Sequence, residues 1–132
     1  MTYLLDVSAL IAWGVEEHSL RHRAVDWAQS VANRSVFATC SITELGFIRI
    51  VGQMPQYGGV QQAREMLHQL KRTDGLTFFF IADANGADVL PSWVRSPKQV
   101  TDGHLVRLAR TNRAVLATFD KSIPGSFLIP EQ

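Results

Sequence analysis

The chain has 132 residues, 46% of them hydrophobic and 19% charged, which is the composition of a globular protein and the length of one domain spanning 1–132 with no room for a second. Thirteen Lys and Arg against twelve Asp and Glu leave a formal charge of +1, so no overall positive field directs the chain to nucleic acid and any such binding must be local. A single cysteine, Cys40, rules out an intrachain disulfide and every multi-cysteine zinc site.

The N-terminus has no basic segment and places Asp6 where a signal peptide is apolar, and no run approaches the roughly 18 apolar residues of a membrane helix. A cytoplasmic protein is expected. Tyr3-Leu4-Leu5 is a short apolar run ending at Asp6, followed by Ser8 and the apolar stretch 9–15, the pattern of a strand, a tight turn and a helix. Leu20, Ala24, Trp27, Ala28 and Val31 recur at helical spacing and predict an amphipathic helix over 18–33. A second strand is expected over 35–39. Ser41-Ile42-Thr43-Glu44 then matches the capping-box pattern of a helix start. Apolar residues cover almost the whole circumference of this helix, so it is either buried on all sides or partly reserved for another chain.

After a break containing Pro55, Val60, Ala63, Leu67 and Leu70 mark a further amphipathic helix. Three consecutive phenylalanines, Phe78, Phe79 and Phe80, predict a strand over 77–81 covered on both faces. Prolines interrupt 83–100 and leave it without a regular pattern. Thr101 is the expected N-cap of a helix over 101–112, followed by an apolar strand over 114–119 that ends at Asp120 and a last extended piece over 127–129.

Short apolar strands alternating with amphipathic helices imply an α/β chain with a central parallel sheet and helices on both faces. In such sheets ligands bind beyond the carboxyl ends of the strands. Asp6 and Asp120 follow strands at that edge, and Glu44 and Asp102 lie in the first turns of helices that begin there. Four carboxylates on one edge need protons or cations to be tolerated, and Mg²⁺ or Mn²⁺, hard cations that prefer carboxylate oxygen, would balance them. One such ion activates a water and a second stabilises the leaving oxygen of a phosphodiester. Each acid also has a structural reading. Glu44 fits a capping box, Asp102 favours a helix dipole, and Asp6 and Asp120 fit turns.

Four segments carry a resemblance: Leu4-Leu5-Asp6-Val7-Ser8-Ala9-Leu10, Thr43-Glu44-Leu45 with Arg49 beyond it, Val100-Thr101-Asp102-Gly103-His104-Leu105, and Leu116-Ala117-Thr118-Phe119-Asp120-Lys121. They resemble, in order and separation, the four acidic motifs of PIN-domain ribonucleases, and above all the VapC toxins of bacterial type II toxin–antitoxin pairs, over residues 3–129. The resemblance implies a three-layer α/β/α sandwich and a Mg²⁺- or Mn²⁺-dependent endoribonuclease toxin that is inhibited by a cognate antitoxin. It also implies a homodimer. Asp6, Glu44, Asp102 and Asp120 match the family's catalytic, metal-binding acids, and Ser8 and Thr118 match hydroxyl positions that support them. Where some relatives carry a further acid after Asp120, this chain has Lys121 and Ser122.

Arg107 and Arg110, with Lys98 and Lys121, are candidate contacts for RNA phosphates, against the alternative of an ordinary solvated face. Trp93 is a candidate base-stacking platform or a packing residue. His18 and His22 stand four apart on one helix, yet no third ligand accompanies them and zinc is not expected. A different class of function stays open: a non-catalytic module that docks a partner through the apolar helix 41–52. A phosphoaspartyl phosphatase built on Asp6 is disfavoured, because Ser8 stands where that chemistry wants a second Asp.

Overall fold

A computed structural model describes residues 1–131 of the chain. Five parallel strands form one sheet in the order β3-β2-β1-β4-β5. They are β1 (Thr2–Leu5), β2 (Val36–Cys40), β3 (Phe78–Ile81), β4 (Val115–Thr118) and β5 (Phe127–Leu128). The helices are α1 (Val7–Gly14), α2 (Arg21–Val31), α3 (Ser41–Gly52), α4 (Val60–Lys71) and α5 (Val100–Thr111), with short 3₁₀ turns at Ala32–Arg34, Ala87–Val89 and Pro97–Gln99. Every expected strand and helix is present, shifted by a few residues at its ends, and 83–100 holds only turns.

Strand alternation divides the core into two layers. Tyr3, Leu5 and Phe37 face one side, where α1 to α4 bury Leu10, Trp13, Trp27, Phe47, Leu67 and Leu70 against them. Leu4, Ala38, Cys40 and Leu116 face the other, which α5 covers with Leu105, Val106, Leu108 and Ala109. The result is the expected α/β/α sandwich, thick on one face and one helix deep on the other. Aromatic rings knit the thick layer: Tyr3 meets Trp27 edge-on at 4.9 Å between centroids, and Trp13 meets Phe37 at 5.6 Å.

The three phenylalanines are the fold's main departure from the sequence expectation. β3 is an edge strand that pairs only with β2, so Phe79 and Phe80 stay 43% and 49% exposed rather than covered on both faces. An apolar run signals a strand but says nothing of whether a neighbour will flank it. Among the described residues no helix is long and apolar enough to cross a membrane.

Candidate active site

Asp6 is the N-cap of α1. Its backbone is extended, and its Oδ1 accepts the Ala9 N–H at 2.8 Å and the Ser8 hydroxyl at 2.7 Å. The turn reading and the site reading therefore coincide, because the cap fixes where the carboxyl points. β1 and β4 run in register with Leu5 opposite Ala117, and the Asp6 N–H continues the ladder to the Ala117 carbonyl at 3.1 Å, which sets Thr118 beside Asp6. Burial pushes the Asp6 carboxyl above its ordinary pKa; hydrogen bonds from Thr118, Ala9 and Ser8 oppose that rise and the charge of Asp120 adds to it.

Asp102 is the third residue of α5, whose first turn follows the Pro97–Gln99 3₁₀ segment rather than a Thr101 cap. Burial raises its pKa first, and the charges of Asp6 and Asp120 raise it further. Asp120 lies just past β4 and is exposed. The Ser122 hydroxyl and N–H donate to its Oδ1 at 2.6 and 2.9 Å, and these bonds hold its pKa below the usual value. Thr118 Oγ1 in turn accepts the Asp120 N–H at 2.9 Å. The charges of Asp6 and Asp120 thus reach Asp102, and that of Asp120 reaches Asp6.

Glu44 sits differently. β2 continues to Cys40, which becomes the N-cap of α3, and its N–H donates to Thr43 Oγ1 at 3.0 Å. The expected box between Ser41 and Glu44 is not formed, because the helix begins one residue earlier and Thr43 takes the capping position. Freed from capping, the Glu44 carboxylate accepts the Lys71 ammonium at 2.6 Å and the Thr39 hydroxyl at 2.5 Å, both on Oε2. Among the described residues no three His, Cys, Asp or Glu side chains already stand close enough to share one metal ion. The structure brings the three aspartates within electrostatic reach of one another and ties Glu44 to Lys71.

The basic candidates are all exposed. Arg107 and Arg110 project from α5 and line, with Trp93 and Pro124, a hollow of about 310 Å³, while Lys98 precedes α5 and Lys121 follows Asp120. His18 and His22 do not converge: His18 Nδ1 accepts the Leu20 N–H at 3.0 Å, and His22 pairs with Asp26 at 2.8 Å. Sequence reasoning passed over Thr39 and Lys71, which no local pattern marks. It also passed over Asp83, two residues past the end of β3, an acid leaving a strand much as Asp6 leaves β1. The apolar circumference of α3 is partly unburied. Ile42, Leu45, Ile48 and Arg49, with Val60 of α4, line a groove of about 720 Å³ in which Leu45 is 66% and Val60 57% exposed.

No protein-family model matches the chain. Among curated proteins, Ribonuclease VapC38 of Mycobacterium tuberculosis is 34% identical over 132 residues, covering 98% of this chain and 90% of the relative. Ribonuclease VapC44 of the same organism is 35% identical over 130 residues, covering 93% of this chain and 89% of its own length. Among solved structures, a chain of VapBC2 from Rickettsia felis, crystallised bound to a DNA fragment from their promoter, matches in fold with a TM-score of 0.67 over 97% of each chain at 15% identity.

Proposed function

Because the chain belongs to the VapC ribonuclease family, we propose that it is a divalent-metal-dependent endoribonuclease, the toxin of a toxin–antitoxin pair. The observation that carries the proposal is the placement of Asp6 at the end of β1, of Asp120 just past the adjacent β4, and of Asp102 in the first turn of α5. The donor set suits a hard cation: three carboxylates, two of them with pKa values pushed up by burial and by a neighbouring aspartate's charge, backed by the hydroxyls of Ser8 and Thr118. Mg²⁺ or Mn²⁺, when bound, supplies a nucleophile from water at neutral pH and charge stabilisation for the leaving oxygen.

The chain's own residues then have definite tasks. Asp6, Asp102 and Asp120 would hold the ion. Ser8 and the Ala9 N–H occupy Oδ1 of Asp6 and so orient its carboxyl before anything binds. Glu44 stands on α3 with Lys71 on its carboxylate. Lys98 and Lys121 stand exposed near Asp102 and Asp120 in the chain, and Arg107 and Arg110 stand exposed further along α5, positive charge that would meet phosphates without sequence reading. No side chain is the nucleophile: water attacks phosphorus and the P–O3′ bond breaks, so the products carry a 5′-phosphate and a 3′-hydroxyl. The VapBC2 neighbour is named as an assembly, so the partner we propose is an antitoxin, and the exposed apolar groove of α3 and α4 is the surface we assign to it. A homodimer stays an expectation from the family resemblance.

The test is RNA cleavage by purified protein with Mg²⁺ or Mn²⁺, stopped by EDTA. Asp6→Asn together with Asp102→Asn should remove cleavage while circular dichroism stays native. Full activity in that double variant would reject the reading. Saturable binding of a partner with no metal uptake and no cleavage would instead support a non-catalytic docking module.

A further inference from the structure

Glu44 stands on α3 in the thick layer and Asp102 on α5 in the thin one. Thr39 follows Ala38 on β2, and by alternation its hydroxyl emerges in the layer of Leu5 and Phe37, where it donates to Glu44. Asp102 stands across the sheet on α5, while Asp6 caps α1 at the end of β1 between the two layers. Into the Glu44 side reaches Lys71, the last residue of α4. Its neighbour Leu70 is buried in the core beneath, which fixes the base of the lysine. Nζ stands 2.6 Å from Glu44 Oε2, and the two side chains are only 25% and 21% exposed. This is not the solvated surface pair whose net contribution is near zero.

We propose that Lys71 is the resident cation of Glu44, so that the acidic edge is divided: the ammonium neutralises Glu44, and the divalent ion is left to Asp6, Asp102 and Asp120. The inference rests on the nuclease reading and deepens it. A divalent ion sharing the Glu44 carboxylate would lie within a few ångströms of the ammonium, in a partly desolvated setting where repulsion between cations is little screened. Lys71 has little reason to withdraw. The hollow it lines also contains Arg72 and His68, so an ammonium released from Glu44 would meet another cation, whereas at the end of α4 it satisfies the negative pole of the helix. Lys71 is then a positioning residue: with Thr39 it fixes one oxygen of Glu44 and sets how much charge remains for metal.

The division has a direct readout in the metal-free and Mg²⁺-loaded protein. With ¹⁵N-labelled lysine, the Lys71 ammonium should give a hydrogen-bonded resonance that disappears in Glu44→Gln and persists when Mg²⁺ is saturating. Calorimetry with Mn²⁺ supplies the second measurement. Glu44→Gln should bind within about twofold of the wild-type affinity, Asp102→Asn at least about tenfold more weakly, and Lys71→Met at least about tenfold more tightly or with an additional ion. Loss of the ammonium resonance on adding Mg²⁺, or an effect of Glu44→Gln as large as that of Asp102→Asn, overturns the division while leaving the nuclease reading intact. Absence of metal uptake by the wild type overturns the nuclease reading and the division with it.

Discussion

His104 Nε2 stands 2.5 Å from Asp83 Oδ2, joining the second turn of α5 to the loop that leaves β3, with both side chains largely buried. The same carboxyl accepts the Asn85 N–H on Oδ1 at 3.0 Å. Burial pushes the Asp83 pKa up, but the hydrogen bonds from His104 and Asn85 and the charge of His104 outweigh it, and the net value falls below the ordinary one. A depressed folded-state pKa contributes stability that is present above the unfolded value and lost as pH falls through the folded value. Wild-type stability should therefore decline more steeply than that of Asp83→Asn below about pH 4, the ordinary Asp range. Urea denaturation from pH 7 to pH 2.5 checks this, and parallel curves for the two proteins would contradict it.

Asp102 has the opposite sign. Its pKa is raised by burial and by Asp6 and Asp120, so its ionised form is disfavoured in the fold, and stability present below the unfolded pKa is lost as pH rises through the folded one. In EDTA, Asp102→Asn should melt higher than wild type at pH 7 and coincide with it near pH 3. Its RNA cleavage should fall on the order of a hundredfold or more. Mg²⁺ at a hundred times its dissociation constant should stabilise the wild type by about 2.7 kcal/mol and the variant far less. A variant that melts lower than wild type at neutral pH would show the aspartate to be a structural residue instead.

These acids also show what a single chain discloses. Asp6 was legible because a strand that ends in an aspartate before an apolar helix fixes both its position on the sheet and its capping geometry. Asp102 and Asp120 were legible by the same edge rule. Glu44 was legible in place, but its ion-pair partner, Lys71, lies 27 residues away on the next helix, and neither helix carries a periodic signal for the pair. Phe79 and Phe80 were misread because strand order is a property of crossovers rather than of the strand itself. The turns of 83–100 have no period at all, and what organises them is packing against α5.

That packing is tight at one point. A Cβ at Gly103, next to Asp102, would come within 2.2 Å of Val94 Cγ2 and 3.3 Å of Pro91 Cδ. Valine is stiff about χ1 and cannot swing aside cheaply. Gly103→Ala should cost about 1–3 kcal/mol, whereas Gly86→Ala, which meets nothing within 4 Å, should stay within about 0.5 kcal/mol of wild type. Equal unfolding midpoints for the two variants would mean that segment 91–94 is not seated on α5.

The groove of α3 and α4 can be tested without disturbing the fold. Val60 is the first residue of α4, behind the Gly59 N-cap, and the first turn of that helix carries no acid. An aspartate at this position faces the positive pole of the helix, which contributes roughly 0.3–1 kcal/mol in its favour. In the groove the same charge faces Leu45 and Ile48, where an apolar partner segment would have to strip its water. Val60→Asp should therefore keep or slightly raise the melting temperature and leave RNA cleavage unchanged. Binding of an antitoxin co-expressed from a neighbouring reading frame should weaken at least about tenfold, equivalent to 1.4 kcal/mol. Val60→Ala, which removes apolar area without adding charge, should weaken it less. Unaltered antitoxin affinity in Val60→Asp would place the inhibitor on another face of the molecule.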